Sequence, residues 1–79
     1  MGYHKREINK GVLGEPSKIQ EELDELNDAL EQGNRIMALV ELSDIYGALS
    51  ALAEKLGTNM NEIEIMHKAT KSAFEDGSR

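Results

Sequence analysis

Apolar residues recur along the chain at alternating intervals of three and four positions, which is the period of an amphipathic helix. The first stripe consists of four aliphatic residues, Ile19, Leu23, Leu26 and Leu30. Pro16 is suited to the first turn of this helix, and Gly33 is suited to the position just past its end. A first helix is therefore predicted between Pro16 and Gly33.

A second stripe of the same period follows, formed by Ala38, Leu42, Ile45, Leu49, Leu52 and Leu56. We predict that this helix begins at about Arg35 and stops at Gly57. A third, less apolar helix should follow, because Asn59 or Asn61 can cap a helix that has a glutamate three residues later. The sequence has no alternating strand pattern. The predicted fold is therefore all-α, an antiparallel helical hairpin plus a third helix.

Length and composition bound the remaining possibilities. The 79 residues suffice for one domain with a thin core, so a bound metal or a second subunit is expected to contribute stability. We divide the chain into an irregular N-terminal arm, residues 1–14, and one helical domain, residues 15–79, with a frayed tail at 76–79. His4 is expected to be a flexible residue of the arm.

Charge and residue usage exclude several classes of protein. Fifteen acids against nine Lys and Arg give a formal net charge of −6, which disfavours a nucleic-acid polymer as partner. The absence of cysteine excludes disulfides and zinc–thiolate sites. No apolar run approaches the roughly 20 residues of a membrane span, and the N-terminus has no signal-peptide pattern. No membrane partner and a cytoplasmic location are therefore expected.

Two acidic pairs stand out on the predicted hairpin. Glu22 and Glu25 are three residues apart, as are Glu41 and Asp44, so each pair lies on one side of its helix. Glu25 and Glu41 are each eight positions from Gly33, and Glu22 and Asp44 are each eleven. With the apolar stripes meeting along the seam, the four carboxylates should converge on one flank at one depth.

Convergence of four like charges is costly unless a cation is present. Oxygen-only ligands suit Mg²⁺ or Mn²⁺ better than zinc. Glutamate also favours helices and is often merely solvated, but the matched depth of the two pairs favours a metal site. Asp24 and Asp28 are expected to face solvent on the far side of the first helix.

These acids also resemble a known signature. Glu21-Glu22-x-x-Glu25, followed by Glu41-x-x-Asp44, is similar to the EExxE…ExxD motif of MazG-like, all-α nucleoside triphosphate pyrophosphohydrolases, and most similar to short phage-type members. The motif and hairpin cover about residues 16–56. The resemblance implies Mg²⁺-dependent cleavage between the α and β phosphates, giving a nucleoside monophosphate and pyrophosphate. It also implies a homodimer or homotetramer with a four-helix core, in the host cytoplasm if phage-encoded.

The resemblance assigns a role to individual residues. It implies that Glu22, Glu25, Glu41 and Asp44 bind Mg²⁺. Glu21 stands one position outside this set, and we consider it the candidate to orient or deprotonate the attacking water, with a solvated helix acid as the alternative. The candidates for phosphate binding are Lys18, Lys68 and Lys71. Lys71 is the preferred match to a late-helix lysine of the family, although Glu75 stands where members often have an arginine. The N-terminal arm could fold over the nucleotide.

Two other functions remain open on the sequence alone. The chain could be a non-catalytic helical module that binds a partner, or itself, through the second apolar stripe. It could also be a sensor that binds a metal or nucleotide without turnover. The first predicts no metal dependence, and the second predicts Mg²⁺-dependent binding without product.

Overall fold

The computed structural model describes His4 and residues 6–75, except for the side chains of residues 72–74. Over this part of the chain it contains three α-helices and no strand, which confirms the all-α prediction. The helices are α1 (Pro16–Glu31), α2 (Arg35–Lys55) and α3 (Met60–Glu75). The expected frayed tail at 76–79 lies outside the described residues.

The connection between α1 and α2 is a tight turn. Gly33 has a φ of +68°, a conformation that residues with a Cβ rarely adopt, and its N–H donates to the carbonyl of Leu30 at 3.0 Å. The Oδ1 of Asn34 then accepts a hydrogen bond from the backbone N–H of Met37 at 2.9 Å and caps α2. The short connection makes α1 and α2 antiparallel neighbours, as the sequence predicted.

The third helix is capped in one of the two ways that the sequence allowed. The Oδ1 of Asn59 accepts a hydrogen bond from the N–H of Glu62 at 2.9 Å, whereas Asn61 lies inside the helix. Among the described residues, α3 contacts α2 and makes no contact with α1. The hairpin of α1 and α2 therefore determines the geometry of any site formed between those two helices.

The interior of the hairpin is small and largely polar. Its apolar cluster consists of Ala29, Met37 and Ala38, with Leu26 packed against it. The remaining buried residues of α1 are acids, Glu21, Glu22 and Asp28, and α2 adds the buried Glu41. The interior is therefore made mainly of alanine side chains and carboxylates.

This composition corrects one expectation from the sequence. The aliphatic stripes were expected to meet along the seam, but Leu23, Leu30 and Leu42 are exposed. Each helix instead presents mainly alanines and acids inward, with Leu26 packed against the interior cluster, while these three leucines stay exposed. The acidic residues are thus an internal part of the hairpin and not only its flank.

The second helix also meets the length and composition criterion for crossing a membrane. The core helix of a soluble domain meets the same criterion, so this property alone assigns no location. α2 carries Glu41 and Asp44 within its length, and a charge in the middle of a membrane span is costly.

Candidate metal centre

Four carboxylates meet between α1 and α2. One carboxylate oxygen from each residue lies within 4.8 Å of one from every other residue of the set Glu22, Glu25, Glu41 and Asp44. The predicted convergence of the two acidic pairs is therefore present. Two ligands on opposite sides of one Mg²⁺ ion are about 4.2 Å apart, so the spacing is close to that of a shared coordination sphere.

The inner acids of this group have buried oxygens that lack a partner. Glu41 is 1 % exposed and Glu22 is 5 % exposed. Within the described part of the chain, neither the Oε1 of Glu41 nor the Oε1 of Glu22 has a hydrogen-bond partner. Leaving a buried acceptor unsatisfied costs about 1–3 kcal/mol, and more if the group is charged. A divalent cation between the helices would satisfy both atoms, so these residues fit a Mg²⁺ or Mn²⁺ site.

The crowding of acids changes their protonation. Burial, a hydrogen bond with Glu25 and the nearby negative charges raise the pKa of Glu41 to about 7. Burial and the charge of Glu22 likewise raise the pKa of Glu25. Without a cation the centre therefore holds a proton near neutral pH, whereas a bound divalent ion favours full ionisation.

Glu21 is buried beside this group, and its carboxylate is directed toward the N-terminal arm. Its Oε1 accepts hydrogen bonds from the backbone N–H of Gly11 at 2.8 Å and from the Nζ of Lys18 at 3.2 Å. The Nζ of Lys10 lies 3.8 Å from its Oε2. Burial raises the pKa of Glu21, but the hydrogen bonds from Gly11 and Lys18 outweigh it and lower the pKa overall. Glu21 is therefore ionised at neutral pH and fixed in position.

The arm reaches Glu21 because its backbone passes very close to the first turn of α1. A Cβ at Gly11 would lie 2.2 Å from the carbonyl oxygen of Ser17, so only glycine fits there. The N–H of the next residue, Val12, donates to the Oγ of Ser17 at 3.0 Å. These contacts dock the arm on α1 next to the acidic group.

Only one of the three candidate phosphate-binding lysines lies at the acidic group. The Nζ of Lys18 is 3.2 Å from an oxygen of Glu21 and 3.2 Å from an oxygen of Glu22. Lys68 pairs with Glu64 of its own helix at 3.5 Å, and Lys71 is exposed on α3. In the described part of this single chain, neither Lys68 nor Lys71 forms an ion pair with the four acids.

Two residues of the centre were not anticipated from the sequence. Asp28, expected to face solvent, is 2 % exposed, because it stands three residues after Glu25 and continues the inward acidic side of α1. His4, expected to be flexible, has a side chain that is only 8 % exposed and an Nδ1 that lies 2.9 Å from the Oδ2 of Asp28. The three-residue spacing from Glu25 could have predicted that Asp28 faces inward. Nothing in the sequence indicated the position of His4.

The environment of Asp28 ties the arm to α1 a second time. Its Oδ2 also accepts a hydrogen bond from the Nε2 of Gln32 at 2.9 Å, and the Nε of Arg6 lies 3.7 Å from its Oδ1. The other acid expected to face solvent, Asp24, is partly exposed and accepts a hydrogen bond from Gln20 at 2.9 Å. The arm is thus anchored on both sides of the acidic group, at Glu21 and at Asp28.

Comparisons of this chain with protein-family models, with curated proteins and with solved structures found no match. The functional assignment therefore depends on the geometry of the centre and on the acidic motif. Chemically, the centre offers four carboxylates for a divalent cation, an ionised glutamate held beside them, and one lysine at the edge.

Proposed function

We propose that this protein is a Mg²⁺-dependent nucleotide pyrophosphohydrolase, which hydrolyses a nucleoside triphosphate to a nucleoside monophosphate and pyrophosphate. In this reaction water attacks the α-phosphorus, the bond from that phosphorus to the bridging oxygen breaks, and pyrophosphate leaves. The resemblance of the two acidic pairs to the MazG-like signature supports this choice of reaction.

One observation carries the proposal. Four carboxylates from two helices lie within 4.8 Å of one another, and two of them have buried oxygens without a hydrogen-bond partner among the described residues. An acidic helix surface that serves only solubility would keep its carboxylates in water. Burying Glu22 and Glu41 between α1 and α2 destabilises the hairpin unless a cation is bound, and a cation is what a triphosphate requires at its site of hydrolysis.

The roles of the acids follow from their positions. Glu22, Glu25, Glu41 and Asp44 would hold Mg²⁺, with Mn²⁺ as a substitute. When bound, the ion neutralises phosphate oxygens and lowers the pKa of a coordinated water. The exposed position of Asp44 leaves that side of the centre accessible to the substrate.

Glu21 is the residue we assign to the attacking water. Its lowered pKa makes it a weak base, so orienting the water by a hydrogen bond is favoured over removing its proton. Lys18, between Glu21 and Glu22, would pair with a phosphate oxygen at the edge of the centre. Lys68 and Lys71 could contribute only if a neighbouring subunit or a rearranged α3 brought them to it.

We also propose that the chain assembles as a homodimer or homotetramer with a four-helix core. The outer side of α2 supports this, because Leu39 is 48 % exposed, Leu42 is 51 % exposed and Tyr46 is 59 % exposed. These side chains form an apolar surface that packing of a second α1–α2 hairpin would bury.

A panel assay for pyrophosphate release tests the proposed reaction. The full chain is incubated with canonical and modified NTPs and dNTPs in Mg²⁺, Mn²⁺ or EDTA. We expect equal amounts of monophosphate and pyrophosphate from at least one nucleotide with Mg²⁺, and none with EDTA. Glu41→Gln should abolish turnover, whereas Glu54→Gln, on the exposed surface of the same helix, should not.

The same exposed surface of α2 favours a second candidate, a non-catalytic helical module that associates with itself or binds a nucleotide. That function requires no metal dependence. Absence of product with every nucleotide, together with no Mg²⁺-dependent nucleotide binding, would replace the pyrophosphohydrolase with this module. Mg²⁺-dependent nucleotide binding without product would identify a sensor.

A further inference from the structure

The side chain of His4 is built into the acidic centre from the arm. Its ring is more than nine-tenths buried, and its Nδ1 lies 2.9 Å from the Oδ2 of Asp28. An ionised carboxylate can only accept a hydrogen bond, so the ring nitrogen at this contact is the donor. In the neutral ring, the lone pair is then on Nε2.

The Nε2 of His4 faces acidic residues from both helices, Glu25 of α1 and Glu41 of α2. The Nε2 of His4 is 3.3 Å from the Oε2 of Glu41 and 3.5 Å from the Oε1 of Glu25. Two ligands that each lie about 2.1 Å from one ion, at tetrahedral or octahedral angles, are about 3.0–3.4 Å apart. The distance from the nitrogen to the Glu41 oxygen lies in this range and the distance to the Glu25 oxygen, 3.5 Å, is about 0.1 Å longer than it, so the nitrogen is placed close to where a ligand of the same metal ion would be.

The surroundings of the ring match those of metal-binding histidines. Such histidines almost always donate their other N–H to a carboxylate or carbonyl, which fixes the tautomer and the orientation of the ring. Asp28 does this for His4, and Asp28 is in turn held by Gln32. The other oxygen of Glu41, Oε1, is buried and has no hydrogen-bond partner among the described residues, so this carboxylate is independently left in need of a cation or a donor.

We propose that His4, Glu25 and Glu41 form a mixed nitrogen–oxygen metal subsite on the arm side of the centre. The subsite takes a first-row transition-metal ion such as Co²⁺, Ni²⁺ or Zn²⁺, for which imidazole is a preferred ligand. Mg²⁺, which prefers oxygen ligands, binds the four carboxylates without His4. The inference rests on the same acidic centre as the proposed function, but it does not require that the protein hydrolyse nucleotides.

A His4 ring that covers the carboxylates without binding a metal would have the opposite effect on the affinity for divalent ions. If the ring only covered the carboxylates, it would compete with every cation that entered the centre. Removal of His4 would then strengthen the binding of all divalent ions, whereas removal of a ligand weakens the binding of the transition metals alone.

Metal titration of the full chain tests the subsite. We would measure the binding of Co²⁺ and of Mg²⁺ to the metal-free protein by calorimetry, and follow the visible absorption of bound Co²⁺, which reports its ligands. His4→Ala should weaken Co²⁺ binding by about tenfold or more and shift the Co²⁺ spectrum, with Mg²⁺ binding changed less than about twofold. His67→Ala, which removes an exposed histidine of α3, is the matched control and should change neither.

A second variant separates ligation from a loss of structure. Asp28→Asn replaces the charged acceptor that orients the ring with a neutral amide and should weaken Co²⁺ binding by less than His4→Ala does, with helix content unchanged in circular dichroism. Co²⁺ affinity in His4→Ala that equals or exceeds that of the wild type would overturn the proposal.

The two proposals fail independently. Nucleotide turnover with Mg²⁺ and no effect of His4→Ala on Co²⁺ binding would refute the subsite alone. Co²⁺ binding that depends on His4, from a protein that turns over no nucleotide, would refute the pyrophosphohydrolase alone.

Discussion

Replacement of Glu41 by glutamine should stabilise the metal-free protein while it abolishes turnover. Glu41 is the most buried acid of the centre, and its pKa of about 7 compares with an ordinary value of 4.5. Glutamine keeps the size of the side chain and removes the ionisation. The substitution therefore isolates the cost of placing a charge between α1 and α2.

The expected magnitude follows from the linkage between pKa and stability. Below pH 4.5 the carboxyl is protonated in both the folded and unfolded states. As the pH rises to about 7 the unfolded chain ionises first, so the free energy of unfolding falls. The difference between about 7 and 4.5, at about 1.4 kcal/mol per pKa unit, corresponds to about 3 kcal/mol lost by pH 8.

Urea denaturation followed by circular dichroism measures this effect, at pH 4.5 and pH 8 in EDTA and at one protein concentration. Relative to Glu41→Gln, wild type should lose about 3 kcal/mol of stability across this pH range. Glu41→Gln should lose much less and be the more stable protein at pH 8, whereas Glu54→Gln should behave like wild type. Excess Mg²⁺ at pH 8 should reverse the order, because only wild type retains the full set of ligands.

Two results would refute this reasoning. If Glu41→Gln is less stable than wild type in EDTA at pH 8, Glu41 contributes to folding through its contacts rather than opposing it through its charge. If the difference between the two proteins is the same at pH 4.5 and pH 8, ionisation of Glu41 is not its cause.

Three further substitutions test the arm, the lysine and the outer surface of α2. Gly11→Ala places a Cβ against the backbone of Ser17, so proteolysis of the arm should accelerate while helix content is unchanged; an unchanged cleavage rate would contradict the docking. Lys18→Met should raise KM for the nucleotide several-fold and change kcat less, and an equal effect of Lys68→Met would argue against a specific role. Leu39→Glu should convert the proposed homo-oligomer to monomers in sedimentation velocity, and an unchanged sedimentation coefficient would exclude this surface as the interface.

The helices were predictable because local features determine where they begin and end. Pro16, Gly33 and Gly57 each act through their own backbone geometry. The meeting of the four acids was also predictable, because the distance of each from Gly33 fixes its depth in an antiparallel hairpin. The helix ends and the meeting of the acids could be inferred from the helical period and the position of the turn at Gly33.

The rotation of each helix about its own axis was not predictable in the same way. The aliphatic period correctly placed Ala38 at the seam, but it also favoured Leu23, Leu30 and Leu42 there, whereas Ala29 and the acids are buried in their place. Packing between the two helices determines how far each is rotated about its axis. A partner subunit that covered the exposed leucines would make the observed rotation favourable. The position of His4 was beyond prediction because it depends on the path of an arm without regular secondary structure.

Placing carboxylates inside the hairpin has a consequence for protein engineering. Substitutions that fill this interior with apolar side chains, at Glu22 or Glu41 for example, remove buried charge and should raise the melting temperature. A library selected only for thermal stability would therefore accumulate changes at the residues that we assign to the metal. Selection for activity would retain the acids, and the difference between the two sets of survivors would map the centre residue by residue.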